Sequence, residues 1–184
     1  MRVKRNDWGE KMKRIITATV QNRSGVLNRI TGLLQKRQFN IDSISVGRTE
    51  TIGISKMTLV VEVEDFRKLE QLTKQLNKQI DCIKVSDITD NAIVARELAL
   101  IKVVCNSQQR SEIQSIIEPF RASIIDVSKE SVAIQVTGNS DKIEAFVELL
   151  RPYGIKDIAR TGLTAFSRGN QPQLSEIQQY SLLK

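Results

Sequence analysis

The chain contains no histidine. That removes the commonest general base at neutral pH and the commonest metal ligand, and it argues against hydrolase triads, zincins and other imidazole-ligated metal sites. Aromatic residues make up 4% of the sequence, too few for a surface that stacks nucleic-acid bases. Only two cysteines occur, Cys82 and Cys105, in apolar runs without CxxC spacing; they read as buried free thiols in a reducing compartment. No apolar run approaches the roughly 18 residues that a membrane span needs. No apolar segment follows the N-terminal basic residues as a signal peptide requires. These absences lead us to expect a soluble, cytoplasmic protein, or a stromal one if the source has plastids, without membrane contact.

Phosphate-binding and nucleophile motifs are missing too: there is no P-loop, no GxGxxG and no GxSxG. Carboxylates are scattered without an adjacent base or nucleophile. We therefore expect no catalytic residue and no metal or cofactor on this chain. The formal net charge of +7 over 184 residues invites a nucleic-acid reading. Its location weakens that reading, because six basic residues against two acidic ones fall within the first 14 positions. The strands expected to be central, Arg14 to Val20 and Met57 to Val63, contain no aromatic residue.

What is present is a clear alternation of periods. Ile16, Ala18 and Val20 mark a first strand, and Val26, Leu27, Ile30, Leu33 and Leu34 mark one face of a helix. Ile44 and Val46 begin a second strand, Arg48 to Gly53 turns the chain, and Met57 to Val63 returns. Asp65 can cap a helix carrying Phe66, Leu69, Leu72 and Leu76, and Ile80 to Val85 supplies a fourth strand. After a polar break near Asn91 the same order recurs. Ala99 to Val103 is a strand, Ile113 to Phe120 a helix, and Ile124 to Val127 with Val132 to Val136 a hairpin. Ile143 to Leu150 is a second helix and Ile155 to Ala159 a last strand. Each half is a βαββαβ unit, so the fold class is α+β with two ferredoxin-like domains in tandem. The divisions expected are a basic extension over 1–12, a first domain over 13–90, a second over 91–169 and a polar tail over 170–184. The pattern already fades from about Gly162.

The stretch from Val20 to Asp42 carries the most information. Asn22 and Asn40 bracket the first helix, and Gly25 stands at its opening beside Ser24. A helix N-terminus offers unpaired N–H groups and partial positive charge, which suits a small carboxylate. Asn22 and Ser24 could equally cap the helix, and Asn40 could simply form the following turn. Spacing alone leaves both readings open.

The segment N-R-S-G-V-L-N-R-I resembles the opening of ACT domains, the amino-acid-sensing βαββαβ modules. R-I-I-T-A-T-V-Q-N-R-S-G-V-L-N-R-I-T-G-L-L, R-Q-F-N-I-D-S-I-S-V and K-Q-L-N-K-Q-I-D-C-I-K-V further resemble the first half of acetolactate synthase small subunits. In the second half R-E-L-A-L-I-K-V, P-F-R-A-S-I-I-D-V and I-A-R-T-G-L-T-A-F-S-R-G are similar to the same family's C-terminal domain. The similarity covers roughly Lys13 to Gly169. It implies an ACT domain over 13–90 and a regulatory subunit of branched-chain amino-acid biosynthesis with no activity of its own. Its expected partner is a large catalytic subunit carrying thiamine diphosphate, magnesium and FAD, which it would activate. It also implies a homodimer through the ACT domain, with valine or another branched-chain amino acid bound at the interface for feedback inhibition. The residues matching that site are Asn22, Ser24, Gly25, Val26, Leu27, Asn40 and Ile41.

Overall fold

The computed structural model describes residues 12–169. The expected basic extension, apart from Met12, and the expected tail beyond Gly169 lie outside the described residues. The described residues form two compact units, one of 12–94 together with 165–169, the other Ala95–Thr164.

In the first unit β1 (Met12–Gln21), α1 (Val26–Lys36), β2 (Asn40–Arg48), β3 (Ile54–Val63), α2 (Phe66–Asn77) and β4 (Cys82–Asp87) follow in order. The antiparallel sheet runs β2-β3-β1-β4, the ferredoxin-like arrangement. One face of β1 presents Ile16, Ala18 and Val20, which join Met57, Leu59 and Val61 of β3 in a core closed by Ile30 and Leu34 of α1 and Leu72 and Leu76 of α2. Such alternation is what a half-covered sheet demands. Asp65 caps α2 by accepting from the Lys68 amide at 2.7 Å, as its place before the apolar run suggested. At the end of α1, Gln38 adopts a positive φ of 59°. The Phe39 amide then reaches back to the Leu34 carbonyl at 3.0 Å and the Gln38 amide to that of Gln35 at 2.9 Å, a Schellman stop.

The second unit repeats this plan with β5 (Ile93–Val104), α3 (Arg110–Ile117), β6 (Ser123–Val127), β7 (Ser131–Gly138), α4 (Ser140–Leu150) and β8 (Ile155–Arg160). Its strand order β6-β7-β5-β8 is that of the first sheet. The helix stop is repeated as well: Arg121 takes φ 49° after α3, and the Ala122 amide reaches the Ile117 carbonyl at 3.2 Å. Phe146 of α4 is fully buried, with its ring 4.9 Å from that of Phe120. At the edge strand β8, Arg160 holds the buried Glu97 of β5 through two bonds of 2.6 and 2.9 Å. Its guanidinium pKa is raised chiefly by that Glu97 contact, against the effect of burial.

Three expectations need correction. The fourth strand begins at Cys82 rather than Ile80, whose side chain is 80% exposed; apolar character alone placed Ile80 in the strand, but the turn that precedes it uses Gln79 and Cys82. The second strand starts at Asn40, before Ile44, because a bulge between Ile41 and Ser43 breaks the alternation. The fading pattern after Gly162 does not mark the start of a tail. Thr164–Ser167 is a strand, β9, paired with β5, and Ala165 is fully buried with its amide 3.3 Å from the Thr58 hydroxyl. The second compact unit ends at Thr164, and residues 165–169 group with the first.

A candidate effector site at the opening of the first helix

The turn between β1 and α1 is held from three sides. The Asn22 amide donates to the Gly53 carbonyl at 2.7 Å, and the Gln21 amide to the Asp81 carbonyl at 2.8 Å. The buried Asp81 carboxylate in turn pairs with Arg29 of α1 at 2.9 Å. The first turn of the helix is thereby tied to the loop before β4.

Gly25 occupies the N-cap position with φ 84°, and no side chain caps the helix. The capping role open to Asn22 and Ser24 is therefore not used. The Val26 amide makes a long 3.4 Å contact to the Arg23 carbonyl; among the described residues the amides of Gly25, Leu27 and Asn28 find no acceptor. A β-carbon at Gly25 would meet nothing within 4 Å, so the approach to these amides is open. Asn22, Ser24 and Leu27 are exposed around them, whereas the Val26 side chain belongs to the core and offers only its backbone.

Asn40 and Ile41 are not part of this cluster. Asn40 pairs with Glu62, which sits opposite Lys13 near the start of β1, while Gln21 sits opposite Ile54 at the other end. Eight residues of strand separate the two rows, about 26 Å at roughly 3.3 Å per residue. The two asparagines therefore mark opposite ends of α1 within one chain. Asn40 donates its Nδ2 to Glu62 Oε2 at 3.1 Å, which leaves its oxygen as an acceptor. Ile41 is half-buried against the first core.

Two neighbours of the turn carried no signal in the sequence. Asp81 falls inside the run read as the strand Ile80 to Val85, and an acidic residue there gave no hint of a buried ion pair. Gln21 has a buried Oε1 without a hydrogen-bond partner, and only its place at the end of an alternating strand could have drawn notice. Among the described residues no cluster of three or more metal-ligating side chains occurs, and no helix is long and apolar enough to cross a membrane.

The first unit is an ACT-type domain. Residues 16–84 match the model of the acetohydroxyacid synthase small-subunit-like ACT domain, and residues 96–169 match that of the small subunit of acetolactate synthase. The acetolactate synthase small subunit of Bacillus subtilis is 64% identical over 172 residues, covering 94% of this chain and all of that one. A probable acetolactate synthase small subunit of Methanothermobacter thermautotrophicus is 52% identical, covering 85% and 94%. The crystal structure of the acetolactate synthase small subunit from Thermotoga maritima superposes with a TM-score of 0.78 at 38% identity, covering 87% of this chain and 99% of that one. The chain belongs to the acetolactate synthase small-subunit family. Membership supports a regulatory role in the enzyme and implies a large catalytic subunit as its partner.

Proposed function

We propose that this chain activates the catalytic subunit of acetolactate synthase and confers feedback inhibition by valine, bound where two copies of its ACT domain meet. The observation that carries the reading is the uncapped α1 start with its unmet amides at Gly25, Leu27 and Asn28. A valine carboxylate would take these donors, assisted by the helix dipole. Leu27, 47% exposed, would supply part of an apolar wall.

The ammonium group needs acceptors, and the separation of Asn22 from Asn40 says how they would be provided. β2 is an edge strand of the first sheet, and α1 packs against it. If two copies pair β2 antiparallel about a two-fold axis, each strand reverses relative to the other. Asn40 and Ile41 of one copy then come beside the 22–27 turn of the second. A site that neither chain completes alone couples ligand binding to dimer geometry. A differential of about 1–3 kcal/mol between two arrangements would give several-fold to hundredfold inhibition.

On this reading thiamine diphosphate, magnesium and FAD belong to the catalytic partner. The test is reconstitution: copurify the chain with the large subunit, then assay acetolactate formation with and without the chain and with and without valine. Higher activity with the chain and loss of that activity on adding valine support the proposal. Equal rates in all four arms overturn it.

A further inference from the structure

The face of the first sheet turned away from α1 and α2 carries a polar ladder that the effector site does not use. Strand register places Lys56, Thr19 and Lys84 side by side in one cross-strand row, and Thr58, Thr17 and Ser86 in the next. Directly opposed residues lie about 5 Å apart, so the two lysines flank Thr19 close enough for their ammonium groups to converge on one small group. The rows open onto a cavity of about 220 Å³, to which the β9 strand contributes Ser167.

This is not an ordinary solvated sheet face. Thr17 and Thr58 are buried; Thr58 accepts from the Ala165 amide and Thr17 donates to the Ser86 carbonyl at 3.4 Å. Lys56 is half-buried, and its loss of water draws its pKa below the ordinary lysine value, only partly opposed by the charge of Glu50. It has no ion-pair partner among the described residues. Asp87 also lines the cavity, but its carboxylate already accepts from Arg14 at 3.0 Å and from the Thr89 hydroxyl at 2.6 Å. The Asp87 carboxylate is thus already engaged by its own partners.

We propose that this cavity is an anion site separate from the effector site, in which Lys56 and Lys84 clamp a phosphate group and the hydroxyls of Thr19 and Ser86 donate to its oxygens. Each ammonium carries three donors, so neither lysine must abandon other contacts to take part. Two cations and two hydroxyls match a group with two negative charges and several acceptors better than a single carboxylate. The group could arrive as free phosphate or as a phosphate monoester.

The experiment uses the purified full chain. Thermal unfolding is followed in increasing inorganic phosphate, in glycerol 1-phosphate, in acetate and in sodium chloride at matched ionic strength, for wild type, Lys56→Gln and Lys84→Gln. The expected result is a saturable rise in Tm with phosphate or the monoester, absent with acetate and chloride, and at least tenfold weaker in each variant. The tighter of the two ligands identifies the source. Valine affinity stays unchanged in both variants. Phosphorus-31 line broadening on the wild-type chain, reversed by excess sulfate, reads the same site should a variant unfold. A rise that chloride reproduces, a rise that survives in the variants, or no rise and no broadening overturns the proposal.

Discussion

Replacing Gly25 by aspartate tests the effector site through its electrostatics. Gly25 sits at φ 84°, where a side chain costs about 1 kcal/mol of backbone strain. Space is not the obstacle, since an added β-carbon meets nothing within 4 Å. The helix start itself favours a carboxylate by about 0.3–1 kcal/mol, so Gly25→Asp should fold with nearly wild-type stability. A bound valine carboxylate would then face a second carboxylate about 4 Å away, a repulsion of about 4 kcal/mol at an effective dielectric constant near 20. Screening and swing of the side chain reduce this to about 2–3 kcal/mol, or roughly thirty- to 150-fold weaker binding. Gly25→Asn is the neutral control, because asparagine tolerates a positive φ and has the same shape. Inhibition curves of the reconstituted enzyme, with calorimetry on the chain alone, provide the measurement. Wild-type valine sensitivity in the aspartate variant would refute the site, and equal losses in both variants would refute the electrostatic argument.

Other outcomes follow from particular contacts. Arg160→Met leaves the buried Glu97 carboxylate without its guanidinium and should cost about 3 kcal/mol; urea denaturation followed by circular dichroism measures it, and a loss under 1 kcal/mol contradicts the role given to the pair. Burial raises the Asp87 carboxyl, but hydrogen bonds from Thr89 and Arg14 outweigh it and leave its pKa lowered. Its contribution is therefore complete above the unfolded value of about 4 and fades as pH falls through the lower folded value. Asp87→Asn should flatten the acid limb of stability against pH; a limb unchanged from wild type would assign it to other carboxylates. Burial, and secondarily Asp81, pushes the Cys82 thiol up to about 11. At pH 8 the native chain should react with a disulfide reagent far more slowly than the unfolded one, and rapid labelling of Cys82 would show that the strand opens readily.

The repeated βαββαβ order was legible because the helices cover one face of each sheet with apolar side chains, so the period-two and helical patterns survive in Ile16–Ala18–Val20 and in Ile143–Phe146–Val147. β9 was not legible, because a four-residue strand buries only Ala165 and leaves Phe166 half exposed; no period can develop over that length. Gly25 and its neighbours marked the α1 opening in the sequence, as an anion site or as a simple cap. What could not be read was whether Asn22 and Ser24 used their side chains as caps, which depends on the left-handed backbone at Gly25. The distance between Asn22 and Asn40 was equally hidden: a helix separates residues that its flanking turns place close in sequence order. The polar rows at Thr17 and Thr19 look like plain strand alternation until the register sets Lys56 and Lys84 on either side.

The claim that the valine site is shared between two copies is tested most directly by mixing variants. Chains carrying Gly25→Asp and chains carrying Asn40→Ala should each bind valine poorly alone. Unfolded together and refolded as mixed dimers, they form one interface site with both damaged residues and one with neither. Calorimetry on the mixture is expected to recover near-wild-type affinity at reduced stoichiometry. If each site lay within a single chain, every site would remain damaged, and the mixture would bind no better than its components.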